Sequence, residues 1–219
     1  MHPPYTAWHL SYVALGAAAA PVVHANRLAA ALGAFFLAVG IGAHALDELH
    51  GRPLQTRITQ PMLIALAATS LVGAVAIGIG GILSVSAWLI PLVVLGPLLA
   101  VAYNLELFGG RLHDDTWFAL AWGGFPAFTG YFVCALQIRP AGILVAAACT
   151  LLSLAQRRLS TPVRELRRRT ATVTGTQTLT TGETRTLDAE RLAAPLEGAL
   201  RALWLALVIL AIGLVAVRL

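Results

Sequence analysis

Seven stretches of this chain run for 16 residues or more with almost no charge. They are Ala7–Val23, Leu28–Leu46, Pro61–Gly81, Ile82–Tyr103, Thr116–Leu136, Pro140–Ala155 and Leu196–Val217. A helix crossing the hydrocarbon of a bilayer needs about 20 such residues. A barrel strand needs about half that and alternates apolar with polar positions, which these runs do not. Backbone polar groups inside lipid must be satisfied within the protein, so each run is expected to be a helix. Composition agrees. Charged residues make up 11% of the 219 and hydrophobic residues 58%, against about 25% charged in a soluble domain. Too little polar surface exists to cover a water-soluble sphere, and disordered, coiled-coil and disulfide-scaffold classes are excluded with it. The expected fold class is all-α: a polytopic membrane helical bundle of about seven spans, forming one transmembrane domain over residues 1–219.

Within that bundle Gly78-Ile79-Gly80-Gly81 is expected to turn the chain between the third and fourth spans. Val23-His24-Ala25 resembles a signal-peptidase site. Met1 to Thr6 carries no Lys or Arg, so the first run is read as a retained span. Cys134 and Cys149 lie inside apolar runs and read as small buried hydrophobes.

Orientation follows from arginine, since the chain has no lysine. Eight arginines fall in Gln156–Arg191, which marks that segment as cytoplasmic. Threading the spans then places the N-terminus inside and the C-terminus outside, in what is expected to be a prokaryotic plasma membrane. All ten acidic residues and five of the six histidines fall on the cytoplasmic side. Acids do not follow the positive-inside rule, so their gathering there calls for a second reason.

Two polar clusters supply candidates. At the end of the second span, His44, Asp47 and Glu48 share one helical face, followed by His50, Arg52 and Arg57. Such groups can bind a metal or a metal–phosphate complex, with the arginines on phosphate. After the fourth span come Tyr103, Asn104 and Glu106, then Arg111, His113, Asp114 and Asp115. Either aspartate of the last pair could equally cap the fifth span. His9, beside Trp8, is expected at the depth of His44. The run Gln156–Arg169 reads as a short interfacial amphipathic helix facing anionic lipid, with nucleic acid an improbable partner for a chain this apolar. It opens a cytoplasmic Arg/Thr-rich loop, 156–195. There Thr170–Thr186 reads as a hairpin turned at Gly182-Glu183 or as a mobile flap, and Asp188 caps the helix that follows.

The order of these features resembles the UbiA-type intramembrane prenyltransferases. His44-Ala45-Leu46-Asp47 stands where that family carries Asp-x-x-Asp, and Arg52-Pro53-Leu54 with Thr56, Ile58 and Thr59 matches the tail of the motif. Tyr103 and the Gly123-Gly124-Phe125-Pro126 stretch match the end of the fourth span and the fifth span. The likeness covers roughly residues 7–136. It implies transfer of a prenyl group from a prenyl diphosphate to an acceptor, with magnesium on the diphosphate. Asp47, Glu48 and Glu106 would be catalytic. His44, Asp47, Glu48, His50, His113 and Asp114 would hold metal. Arg52, Arg57, Tyr103, Asn104, Arg111 and His9 would contact an isoprenoid or other lipid substrate. The chain departs from the family in three ways: His44 replaces an aspartate, no Asp-x-x-x-Asp follows the sixth span, and there are seven spans rather than nine. Imidazole suits zinc better than magnesium. A zinc hydrolase or lipid-modifying enzyme is therefore the second reading, with Glu48 or Glu106 as base. A non-catalytic scaffold or transporter is the third. The sequence carries no sign of oligomeric state.

Overall fold

The computed structural model describes residues 3–53 and 55–219; Leu54, from the Arg-Pro-Leu tail, lies outside the described residues. Seven helices follow in order: α1 (Pro3–Ala18), α2 (Ala25–Leu49), α3 (Gln60–Ser84), α4 (Ala87–Asn104), α5 (Asp115–Ala135), α6 (Pro140–Arg168) and α7 (Ala189–Arg218). A hairpin, β1 (Gly175–Thr178) with β2 (Thr184–Leu187), joins the last two. Helices α2 to α7 are long and apolar enough to cross a membrane. Their outward side chains suit lipid rather than water: Ile64, Val72, Leu83, Val94, Ile209 and Ile212 are each more than half exposed. Chain and bilayer together bury what the chain alone leaves open.

Helix α1 is different. At 16 residues it is about 24 Å long, and it is an interior helix. Tyr12, Val13 and Ala17 are fully covered. Small residues bring its backbone against α5: a Cβ on Gly16 would stand 1.8 Å from the Ala127 carbonyl oxygen, and one on Gly130 2.0 Å from that of Val13. Only glycine permits such an approach, which replaces the hydrophobic effect as the source of contact between helices in lipid.

Two helices contain a wide π turn, Phe36–Ala43 in α2 and Leu120–Gly124 in α5. Such turns frequently mark functional places. In α5 the cause is legible. Pro126 has no N–H to give the Trp122 carbonyl four residues earlier.

Three expectations are corrected. The chain does not turn at Gly78–Gly81; α3 continues to Ser84, and the reversal falls at Val85-Ser86, where the Ser86 hydroxyl accepts from the Trp88 N–H. The glycines instead permit close packing, since a Cβ on Gly78 would lie 2.6 Å from Val93. The run from Gln156 is not a separate interfacial helix but the continuation of α6: no Gly or Pro interrupts residues 155–161, and the helix carries on through Pro162. At 29 residues α6 is about 44 Å long, so its arginine-rich end extends beyond a 30 Å hydrocarbon layer. Much of 156–195 is accordingly helix rather than loop. Arg167 clasps α6 to α7 through Glu190 (2.6 Å) and Glu197 (2.8 Å). Between them lies the hairpin, in register Gly175 to Leu187, turning through Gly182 at φ +86°.

Candidate functional site

All ten acidic side chains lie at one end of the bundle, beyond or near the ends of α2, α4, α5, α6 and α7. Contacts tie that end together across the sequence: Tyr5 to His44, Arg157 to Asp115, and Arg168 to the Pro53 carbonyl.

The first cluster divides. Glu48 is 2% exposed and its Oε1 accepts from the Thr56 N–H (2.6 Å) and the Thr56 hydroxyl (2.9 Å). It fastens the loop after α2. Arg52, in a left-handed conformation at φ +48°, donates to the carbonyls of Thr56 and Ile58. Both Arg52 and Arg57 are exposed on that loop. His44 turns inward, with Nδ1 2.9 Å from the Val39 carbonyl inside the π turn of α2. Asp47 is half-buried and within electrostatic range of His113, Arg157 and Arg164.

The second cluster divides as well. Asp114 caps α5, accepting from the Trp117 N–H at 2.7 Å. Buried Asn104 returns its amide to the Ala100 carbonyl at 2.6 Å. Glu106 sits between two imidazoles, 3.8 Å from His50 Nε2 and 3.8 Å from His113 Nε2. Its left-handed φ of +49° is costly for a residue with a Cβ and fixes the carboxylate in that gap. Arg111 is exposed.

A third group is aromatic. The Phe118 ring lies 5.8 Å from Tyr103, 6.1 Å from His9 and 6.5 Å from Tyr5, with the Arg157 guanidinium 5.0 Å over its face. Tyr103 is stacked on His113 at 4.4 Å. His9, 1% exposed, places Nδ1 2.7 Å from the Trp122 carbonyl that Pro126 leaves without its helical donor. His113 does the same to the Tyr103 carbonyl at 2.9 Å. So His9, His44 and His113 each set Nδ1 against a main-chain carbonyl. That pairing fixes the ring orientation and, in the neutral ring with Nδ1 protonated, leaves Nε2 as the acceptor nitrogen.

Among the described residues, no three His, Cys, Asp or Glu side chains are placed to hold a metal ion. Two of the six side chains expected to do so are otherwise used: Glu48 on Thr56 and Asp114 as a helix cap. The carboxylates and imidazoles of this end do not fit a magnesium or zinc centre as they stand.

Below this end lies an apolar cavity of about 420 Å³ between α2, α3, α4 and α5. Small residues create it, Ala34, Ala74, Gly78 and Gly96 among them, and the Phe35 and Phe125 rings, 5.9 Å from each other, line it. Trp122 walls it toward the polar end. Leu99 and Ala121 line it on the side that faces Tyr103, Leu112 and Trp117, where the packing leaves no room for a water molecule. At the opposite end Arg27 donates to the Val133 carbonyl at 3.3 Å.

Sequence reading missed Tyr5, Phe118, Arg157 and Arg164. The two arginines were taken as lipid-facing members of a basic run. Their signal was spacing: seven residues apart on an unbroken helix, they share a face. No protein-family model, curated protein or solved structure matches the chain.

Proposed function

We propose that the chain is a UbiA-like membrane enzyme that takes a prenyl diphosphate, holding the prenyl tail in the apolar cavity and the diphosphate at the polar end. The observation that supports this is the cavity itself: an apolar volume of about 420 Å³ walled by Trp122, whose ring stands 4.9 Å from the Tyr103 ring of the aromatic cluster. In the reaction, the allylic C–O bond breaks with its electron pair left on the diphosphate oxygen. A nucleophilic acceptor then bonds the allylic carbon and gives up a proton. The charge on the leaving group must be met by preorganised positive charge. No step is routed through a metal, because the donor set does not fit one.

The test uses full-length protein in neutral nanodiscs with labelled geranyl, farnesyl and geranylgeranyl diphosphate. Saturable binding is expected, and Gly96→Phe should abolish it by filling the cavity against Phe125. No saturable binding of any of the three removes the reading. Binding without diphosphate release, with every acceptor class tried, would favour a non-catalytic lipid-binding scaffold. That second reading is supported by the carboxylates already engaged in loop and cap bonds.

A further inference from the structure

We propose that Tyr103, Arg157 and Arg164, with Tyr5 beside them, form a direct phosphate site, built from guanidinium and phenol rather than from carboxylate-held metal. It rests on the reading above for the tail that accompanies the phosphate, but the anion site stands on its own residues.

Arg157 and Arg164 lie two turns apart on α6, about 10 Å along the axis. Arg157 is already aimed. Asp115 Oδ1 accepts from its Nε at 2.9 Å, Phe118 supports the guanidinium from below, and its side chain is 18% exposed. The bond from Asp115 engages Nε; the two terminal amino groups remain to grip an oxyanion in the forked geometry that suits phosphate. Arg164 is exposed and donates to the Thr161 hydroxyl. It is within electrostatic range of Arg157, Tyr5, Tyr103 and Arg168. Like charges gathered on one helix face repel each other, and an anion relieves that repulsion.

The second observation is independent of charge. The Tyr103 hydroxyl is buried, on a residue 6% exposed, and has no hydrogen-bond partner among the described residues. Arg157 and Arg164 are in electrostatic range of that same hydroxyl. A buried hydroxyl with nothing to bond calls for an acceptor, and a phosphate oxygen supplies one.

Asp47 is the acid in electrostatic range of both arginines. Its role gives the two chemistries opposite signs. If a metal carried the phosphate, Asp47→Asn would weaken binding. If the arginines carry it, removing that negative charge strengthens binding.

The experiment measures binding of inorganic pyrophosphate to full-length protein in neutral phosphatidylcholine nanodiscs with EDTA present. Native protein should bind without metal. Arg157→Gln and Arg164→Gln should each weaken binding about tenfold or more, as expected for a charge-assisted bond. Tyr103→Phe should weaken it several-fold, and Asp47→Asn should tighten it. Arg169→Gln, just past the end of the same helix and outside the cluster, should change nothing. Because Arg164 is on the surface, its variant is expected to fold whatever becomes of Arg157. Binding only when magnesium is added, loss on Asp47→Asn, or indifference to both arginine variants would overturn the proposal.

Two further arms separate the neighbouring possibilities. If pyrophosphate binds through the arginines but prenyl diphosphates bind no better, the anion site holds and the tail reading fails. If prenyl diphosphates bind saturably without regard to the arginines, the tail reading holds and this proposal fails. If phosphatidylglycerol nanodiscs suppress pyrophosphate binding in native protein and Arg164→Gln removes that suppression, the site holds and its occupant is a lipid headgroup.

Discussion

Asp47 and Glu48 are neighbours in sequence with different employments. Glu48 faces the loop that follows its helix and spends its Oε1 on the backbone and hydroxyl of Thr56. Asp47, one residue earlier and about 100° around the helix, is within electrostatic range of His113 and of Arg157 and Arg164 on α6. The difference matters because a buried carboxylate without its donors is costly, and so are donors left without their carboxylate. Glu48→Ala should therefore act on the loop rather than on chemistry. We expect a loss of roughly 2 kcal/mol in stability, with faster trypsin cleavage after Arg57, which is exposed on that loop. Thermal unfolding in detergent and limited proteolysis measure the two effects. An unchanged cleavage rate would show that Thr56 does not depend on Glu48. His9 illustrates the opposite case. Its isolation in sequence made it a weak candidate, yet its ring occupies the carbonyl that Pro126 frees 113 residues away. No local pattern announces a bond between residues so far apart.

At the level of elements, glycine separates what sequence patterns show from what they conceal. The apolar runs located the six helices long enough to cross a membrane, because length and hydropathy are local quantities that the bilayer imposes directly; the first run, expected as a seventh span, is the shorter α1. The caps at Asp114 and Asp188 were also readable, being short-range bonds with a known residue preference. Helix boundaries were not: Gly78–Gly81 looks like a turn, and only the proximity of Val93 shows that it is a packing surface. The π turns were equally hidden, although Gly123, Gly124 and Pro126 hinted at an irregular α5. The site was half legible. Residues near the ends of α2 and α4 were visible as polar groups after apolar runs, while Arg157 and Arg164 were masked by the basic run around them. The contact of α1 with α5 gives the clearest test at this scale. Gly16→Ala puts a Cβ into the Ala127 carbonyl, and nothing flexible there can move aside. Gly80→Ala meets nothing within 4 Å. Both glycines lie in helices, so the two changes have the same intrinsic preference and differ only in contact. The first should yield aggregated protein in gel filtration, the second a native peak. Equal behaviour would mean that the α1–α5 crossing is looser than its geometry requires.

For the whole molecule, everything proposed about function depends on which side of the membrane the acidic end faces. Two different populations of charge meet there. The arginine bias orients the chain during insertion. The acids and histidines take no part in that, so their presence at the same end needs a reason of its own. A bundle with its polar end inside would draw a diphosphate from the cytoplasm and leave Arg27 and Arg218 at the outer end. Cysteine labelling can decide this without disturbing the fold. Native Cys134 and Cys149 are 5% and 1% exposed and contribute little background to a thiol reagent. Thr180, on the hairpin turn, and Gln137, between α5 and α6, are both exposed and lie at opposite ends. In bacterial cells a membrane-impermeant maleimide should label Gln137→Cys directly, and Thr180→Cys only after the membrane is opened. The reverse pattern would put the arginine cluster outside. A diphosphate substrate made in the cytoplasm could not then reach it, and the prenyl-transfer reading would fail, while a site for the phosphate of an outer-leaflet lipid would remain physically sound.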